Sequence, residues 1–327
     1  MQLTPVALDV VVQGMKQYPA NMADFMDMFP TEDACLEYLS VVRWPDGYQC
    51  LRCGKGDYRK KARGLFTCRA CGYEASVLAG TLFQDTHKPL RLWFQAMWYV
   101  VNQKNGVSAL GLQKALGLGS YHTAWEWLHK LRRAMVRPGR DRLSGIVEVD
   151  ETFLGGKRRG RGRRAEGKSL IFIAAEEAKD SENAIGRIRL SVLENATGET
   201  LAKAVQATVE PGSLIRSDGL SSYSFLPDYG YIHVPSFHKE ATPGDATPLA
   251  HRVASLLKRW WLGTHQGAIR PDHLAYYLDE FTFRFNRRTS PLAWQAALPA
   301  YRRRAANRAG PSQDAHTQYL GVRESTA

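Results

Sequence analysis

The sequence predicts an α/β protein in which a mixed-sheet core follows a small cysteine-rich β unit and a helical segment. Three observations lead there. From about residue 141, short apolar runs at 146–152, 169–176, 186–194, 213–217 and 230–236 are interspersed with helical patterns at 198–209 and 249–262, the layout of a central sheet with covering helices. Residues 46–80 are rich in Gly and Cys, with too little apolar material for a core of their own. Between these regions Leu90, Trp93, Phe94, Met97, Trp98 and Val101 recur at helical spacing.

In chain order, residues 1–45 read as a helical segment, with Phe25, Phe29 and Leu36 on apolar faces. Phe29-Pro30-Thr31 reads as a stop, with Thr31 capping the next helix. The cysteine-rich unit fills 46–80, and a helical region fills 81–140, where Pro89 suits a first-turn position. Within it, the segments 107–117 and 121–135 flank a turn at Gly117 to Ser120, and the second ends in Lys130, Arg132 and Arg133. This pattern fits a helix-turn-helix as well as an ordinary helical hairpin. Trp125 and Trp127 read as core. Pro138-Gly139-Arg140 reads as a linker to the α/β core over 141–305, which includes a long helix from Pro271 to about Phe285; 306–327 reads as a disordered tail.

Hydrophobic residues at 44% and charged residues at 23% place the chain among soluble globular proteins. No run approaches the roughly 20 apolar residues of a bilayer span, and Met1-Gln2-Leu3-Thr4-Pro5 does not read as a secretory signal, so an intracellular, cytoplasmic protein is expected. Net charge is +12, from 44 Lys and Arg against 32 Asp and Glu. Such a surplus favours a polyanion, because phosphate contacts release counterions. Lys157, Arg158, Arg159, Arg161, Arg163, Arg164 and Lys168 gather in a glycine-rich loop, and Arg302-Arg303-Arg304 form a second cluster.

Four of five cysteines form two CxxC pairs, Cys50/Cys53 and Cys68/Cys71, each followed directly by a glycine, Gly54 or Gly72. In a reducing compartment this spacing means metal. Two such turns complete a tetrahedral thiolate shell, the structural zinc arrangement, with no open position for chemistry. Arg52, Lys55, Arg59, Lys60, Lys61, Arg63 and Arg69 around it suit docking on nucleic-acid phosphates. Cys35 falls outside the spacing and reads as a small buried residue.

Asp150 ends one apolar strand, Ile146-Val147-Glu148-Val149-Asp150, and Asp218 ends another, Ser213-Leu214-Ile215-Arg216-Ser217-Asp218. Either alone reads as a strand-end or turn acid. Together they make a magnesium pair, since Mg²⁺ takes one or two carboxylates plus substrate phosphate. Strand alternation puts Glu148 on the face of Asp150 and Glu151 on the other; Glu148 is an auxiliary ligand candidate. On the helix that follows, His251 and Lys258 lie seven positions apart and share a face.

Val147-Glu148-Val149-Asp150-Glu151-Thr152-Phe153-Leu154-Gly155-Gly156-Lys157 resembles the first catalytic strand of insertion-sequence transposases with a DDE-type, ribonuclease-H-like core. Arg216-Ser217-Asp218-Gly219-Leu220-Ser221-Ser222-Tyr223 is similar to their second, and His251 to Arg259 to the helix bearing their third ligand. Gly263-Thr264-His265-Gln266-Gly267 and Phe283-Arg284-Phe285-Asn286-Arg287-Arg288 fit the same ISXO-like group. The resemblance implies a ribonuclease-H-like catalytic domain and metal-dependent phosphoryl transfer through Asp150, Asp218 and His251, with His251 standing where a typical relative has glutamate. It implies that Lys258 holds a phosphate with Arg259 beside it. An imidazole in that position predicts a preference shifted from Mg²⁺ towards Mn²⁺. His238 is a further histidine near the last strand, read as structural. The implied partners are transposon-end inverted repeats and target DNA, bound by a homodimer, with no membrane, in a bacterial nucleoid. A non-catalytic zinc-ribbon DNA-binding regulator and a nuclease with the same core are the competing expectations.

Overall fold

The computed structural model describes residues 19–135, 141–155, 168–181, 183–236 and 247–289. The basic residues Lys157 to Arg164, His238, the arginines 302–304, the linker 138–140 and the proposed tail lie outside the described residues. Two compact units emerge, Met1–Asn102 with Leu112–Pro138 and Ser290–Ala327, and Gln103–Gly111 with Gly139–Thr289.

In the first unit, α1 (Met22–Met28) starts at Asn21, whose side chain accepts from the Asp24 amide at 2.9 Å. Then α2 (Glu32–Arg43) starts at Thr31, whose hydroxyl accepts from Ala34 N at 3.2 Å, the cap the sequence predicts. Strands β1 (Tyr58–Lys61), β2 (Leu65–Cys68) and β3 (Glu74–Ser76) form an antiparallel sheet in that order. Tyr58 and Phe66 of this sheet form a small aromatic cluster with Trp44 and Tyr48. The helix α3 (Leu90–Asn102) buries Leu90, Trp93, Phe94, Met97 and Val100. Its first two amides, Leu90 N and Arg91 N, donate to the Glu32 carboxylate at 2.7 and 3.2 Å, so Pro89 directly precedes the helix rather than opening its first turn. Next come α4 (Ala109–Leu116), which belongs to this unit from Leu112 onward, and α5 (Tyr121–Met135), separated by a turn in which Gly117 takes a φ of 62°. Trp127 is core, stacked on Trp93 at 3.8 Å. Trp125 is not; it is half-buried and lies against His129.

In the second unit, β4 (Ile146–Leu154), β5 (Ser169–Glu177) and β6 (Ile185–Leu193) form an antiparallel meander. After α6 (Gly198–Thr208), β7 (Leu214–Asp218) and β8 (Ile232–Ser236) add in parallel on the other side of β4. The resulting order, β6-β5-β4-β7-β8, with helices on both faces, is the expected ribonuclease-H-like arrangement. On β5 the residues alternate between two cores: Ile171, Ile173 and Ala175 face α7 (Pro248–His265) and α8 (Leu274–Phe285), while Phe172 and Ala174 join Leu201, Val205 and Tyr223. The long helix expected from Pro271 begins only at Leu274, after a 3₁₀ turn over Pro271–His273. No helix among the described residues is long and apolar enough to cross a membrane.

Candidate active site

Asp150 does not end its strand, because β4 continues to Leu154 along β5. What ends is its other ladder. Ile146, Val147 and Glu148 pair in parallel with Leu214, Ile215 and Arg216, a constant offset of 68 positions (214 − 146). Two residues beyond the last pair, the same offset sets Asp150 level with Asp218 (218 − 150 = 68). Two neighbouring parallel strands thus deliver one aspartate each, on the same face, where their hydrogen bonding stops.

That face looks at α7. Asp150 Oδ2 lies 3.1 Å from His251 Nε2, with the Asp150 side chain 14% exposed and that of His251 50% exposed. Asp150 Oδ1 accepts from the Glu151 amide at 2.8 Å, which fixes the carboxylate's orientation. Glu148, two residues before Asp150, is 1% exposed and reaches the start of the same helix. Pro248 brings no N–H, and the next two amides, Leu249 N and Ala250 N, donate to Glu148 Oε2 at 2.6 and 3.1 Å. Glu148 Oε2, read from the sequence as part of an auxiliary metal ligand, is committed here to capping a helix. The helix N-terminus stabilises the buried carboxylate, and the carboxylate in turn holds the helix that carries His251.

Glu151, on the opposite face, receives the Tyr223 hydroxyl. Burial, then the neighbouring Glu151, pushes the Tyr223 phenol well above its ordinary range, so it stays protonated and donates. Asp218 begins a turn in which its Oδ1 accepts from Leu220 N at 3.4 Å. Beside it, Ser217 Oγ bridges to His233 Nε2 at 2.9 Å. Burial lowers the basicity of His233, which favours the neutral ring for this bond. Lys258 and Arg259 are exposed on α7, Lys258 two turns after His251 on the same face.

Two carboxylates and one imidazole are donors that suit a divalent cation of hard to borderline character. Among the described residues, only the four cysteines have three or more ligand atoms mutually within 4.8 Å. The structure therefore brings His251 to Asp150 and sets Asp218 on the neighbouring parallel strand, but does not close all three to that distance.

The cysteines fit zinc closely. Cys50 and Cys71 sulfurs are 3.6 Å apart, as are those of Cys53 and Cys68; the edge of a ZnS₄ tetrahedron with bonds of about 2.3 Å is ~3.8 Å. Both turns are built alike: Gly54 N donates to Cys50 O at 2.8 Å and Gly72 N to Cys68 O at 3.0 Å. Gly54 and Gly72 take φ of 72° and 71°, a conformation that a side chain would strain. Cys35 is fully buried, and burial pushes its thiol up to about 12.

The later motifs are scaffold. Asn286 donates to Ile188 O at 3.0 Å and accepts from Ile188 N at 2.7 Å, joining the end of α8 to the edge strand β6. Arg284 pairs with buried Glu280 at 3.2 Å, and His265 packs edge-on against Trp260 and Tyr277.

Residues 142–286 match the family described as ISXO2-like transposase domain, and residues 30–74 match the transposase zinc-ribbon domain. An uncharacterized protein in transposable element ISH50 of Halobacterium salinarum is 26% identical over 282 residues, 78% of this chain and 91% of the relative. Among solved structures, the catalytic core domain of BIV integrase is similar at 16% identity, over 43% of this chain and 83% of that one, with a TM-score of 0.28. The simian T-cell lymphotropic virus intasome in complex with PP2A regulatory subunit B56 gamma is similar at 16% identity, over 52% of this chain and 61% of that one, with a TM-score of 0.27.

Proposed function

We propose that this chain, which joins a transposase zinc ribbon to an ISXO2-like transposase domain, is a DNA transposase that binds insertion-sequence ends and catalyses their cleavage and strand transfer. The observation that carries this reading is His251 at 3.1 Å from Asp150, two residues beyond the parallel ladder that joins the strands of Asp150 and Asp218. Asp150, Asp218 and His251 would hold Mg²⁺ or Mn²⁺. Two such ions, when bound, polarise the entering and leaving oxygens of an in-line phosphoryl transfer. Asp150 presents Oδ2 because Oδ1 is committed to the Glu151 amide. Lys258 holds a phosphate of the DNA end as a point charge, with Arg259 beside it. The same phosphate-holding role extends to Lys157, Arg158, Arg159, Arg161, Arg163 and Arg164. The four cysteines hold zinc, which takes no part in the reaction.

Joining two ends needs two active sites, so the working form is a homodimer on DNA, and its place is the bacterial nucleoid. The test is incubation of the whole chain with inverted-repeat DNA, a target plasmid and Mn²⁺ or Mg²⁺. Nicked ends and joined product are expected. Binding without nicking would make the chain a regulator, and nicking without joining would make it a nuclease.

A further inference from the structure

On the outer side of α7, next to the His251–Lys258 face, lies a cleft of about 490 Å³. Arg252, Arg259 and Arg288 surround it, over a floor that includes Ile185, Leu256 and Phe285. Two of these cations are fixed in place by backbone. Arg288 donates to Gly186 O at 3.2 Å, Phe285 O at 2.9 Å and Ile185 O, with its guanidinium 4.2 Å from the centre of the Phe285 ring. Arg252 donates to Asn183 O. Among the described residues none of the three pairs with a carboxylate. The bonds to carbonyls orient the forks of Arg252 and Arg288 without neutralising them, and each fork keeps further N–H groups to give.

We propose that this cleft binds one unpaired nucleotide of the DNA strand next to the reacting phosphodiester, the phosphate between the arginines and the base against Leu256 and Phe285. Duplex backbone running over a surface needs only exposed charge. A concave site that pairs guanidinium forks with an aromatic and aliphatic floor matches a phosphate and a base together. Its volume is within the range of small-ligand sites, roughly 300–1,000 Å³. Arg252 and Arg259 directly follow His251 and Lys258, so the cleft lies about 100° around the same helix from the proposed active site.

The proposal rests on DNA being the substrate, and the test separates the two. Fluorescence anisotropy of the whole chain, without divalent metal, compares three probes: a blunt inverted-repeat duplex, the same duplex with a short unpaired flank, and that flank made abasic. The flanked probe should bind roughly tenfold tighter than the blunt one, and the abasic flank should lose most of that gain. Leu256→Ser and Arg252→Gln, both at exposed positions, should abolish the preference while leaving blunt-duplex affinity within about twofold. Equal binding of all three probes, an abasic flank as good as the native one, or a preference that survives both substitutions would overturn it. Displacement of the flank by polyglutamate but not by a dinucleotide would make the cleft a site for acidic peptide instead. If blunt duplex is bound and, with metal, nicked, only this inference falls; if no DNA binds, the proposed function falls with it.

Discussion

Glu148 and Leu249 are 101 positions apart, yet the carboxylate of one accepts the amide of the other at 2.6 Å. That bond ties the strand carrying Asp150 to the helix carrying His251, and so sets the distance between the two. Charge-assisted bonds of this kind contribute about 1.5–3 kcal/mol each, and a lost cap costs about 1 kcal/mol. Glu148→Ala should therefore lower stability to urea by about 3 kcal/mol and weaken nicking with it. Glu148→Gln keeps an acceptor oxygen and should lose only about 1 kcal/mol, with most activity retained. A Gln variant that melts like the parent but no longer nicks DNA would return Glu148 to the role of metal ligand.

Removal of zinc should unfold the ribbon and leave the α/β unit intact. The three short strands bury little besides the aromatic cluster of Trp44, Tyr48, Tyr58 and Phe66, and four thiolates left close together repel one another. Chelation, or Cys68→Ser, should erase hydrogen-exchange protection over β1–β3 and preserve it in β4 and β5. Protection of β1–β3 that outlasts complete loss of the metal would show that the ribbon does not need it.

His251 is the test of the proposed metal site. Its Nε2 faces Asp150 at 3.1 Å, so substitution by alanine removes a donor without opening the core. His251→Ala should reduce strand transfer by on the order of a hundredfold or more in either metal. His251→Glu adds a hard oxygen and should move the preference from Mn²⁺ towards Mg²⁺. Full activity in the alanine variant would take His251 out of the site.

Much of this was legible in the sequence wherever the signal is local. The CxxC spacing with its trailing glycines marks the zinc site, and Thr31 marks a helix start, because both act within a few residues. The strands of the core show as apolar runs since β4 and β5 are covered on both faces. Less legible was whatever depends on distant partners. Nothing near Glu148 or Glu32 reveals that each caps a helix far along the chain, at Leu249 and at Leu90; Pro248, which opens its helix, and Pro89, which directly precedes one, were the only local hints. The apolar run at 146–152 already passes Asp150, but the final residues of β4 to Leu154 were hidden for the same reason, since their partner is β5 while β7 has already ended. Trp125 and Trp127 are two positions apart yet sit in different environments, a helical rotation that their shared chemistry masked.

The acid limb of stability should trace to Glu176 and Arg187. Glu176 is held by the Arg187 fork at 2.7 and 2.8 Å and by the Ser144 amide at 3.0 Å, with its side chain 9% exposed. Burial alone would raise its pKa, but the Arg187 bonds and the Ser144 amide outweigh burial and hold it below the ordinary carboxylate range. A carboxyl whose pKa is depressed in the folded state stabilises fully above its unfolded value of about 4.3, and the gain is lost as pH falls towards the lowered folded value. Glu176→Gln should cost about 2 kcal/mol at neutral pH and flatten the decline in stability below about pH 4.3. The measurement is urea unfolding at neutral pH and at a series of points below that value, parent against variant. Two curves that stay parallel across the series would assign the acid sensitivity to other carboxylates.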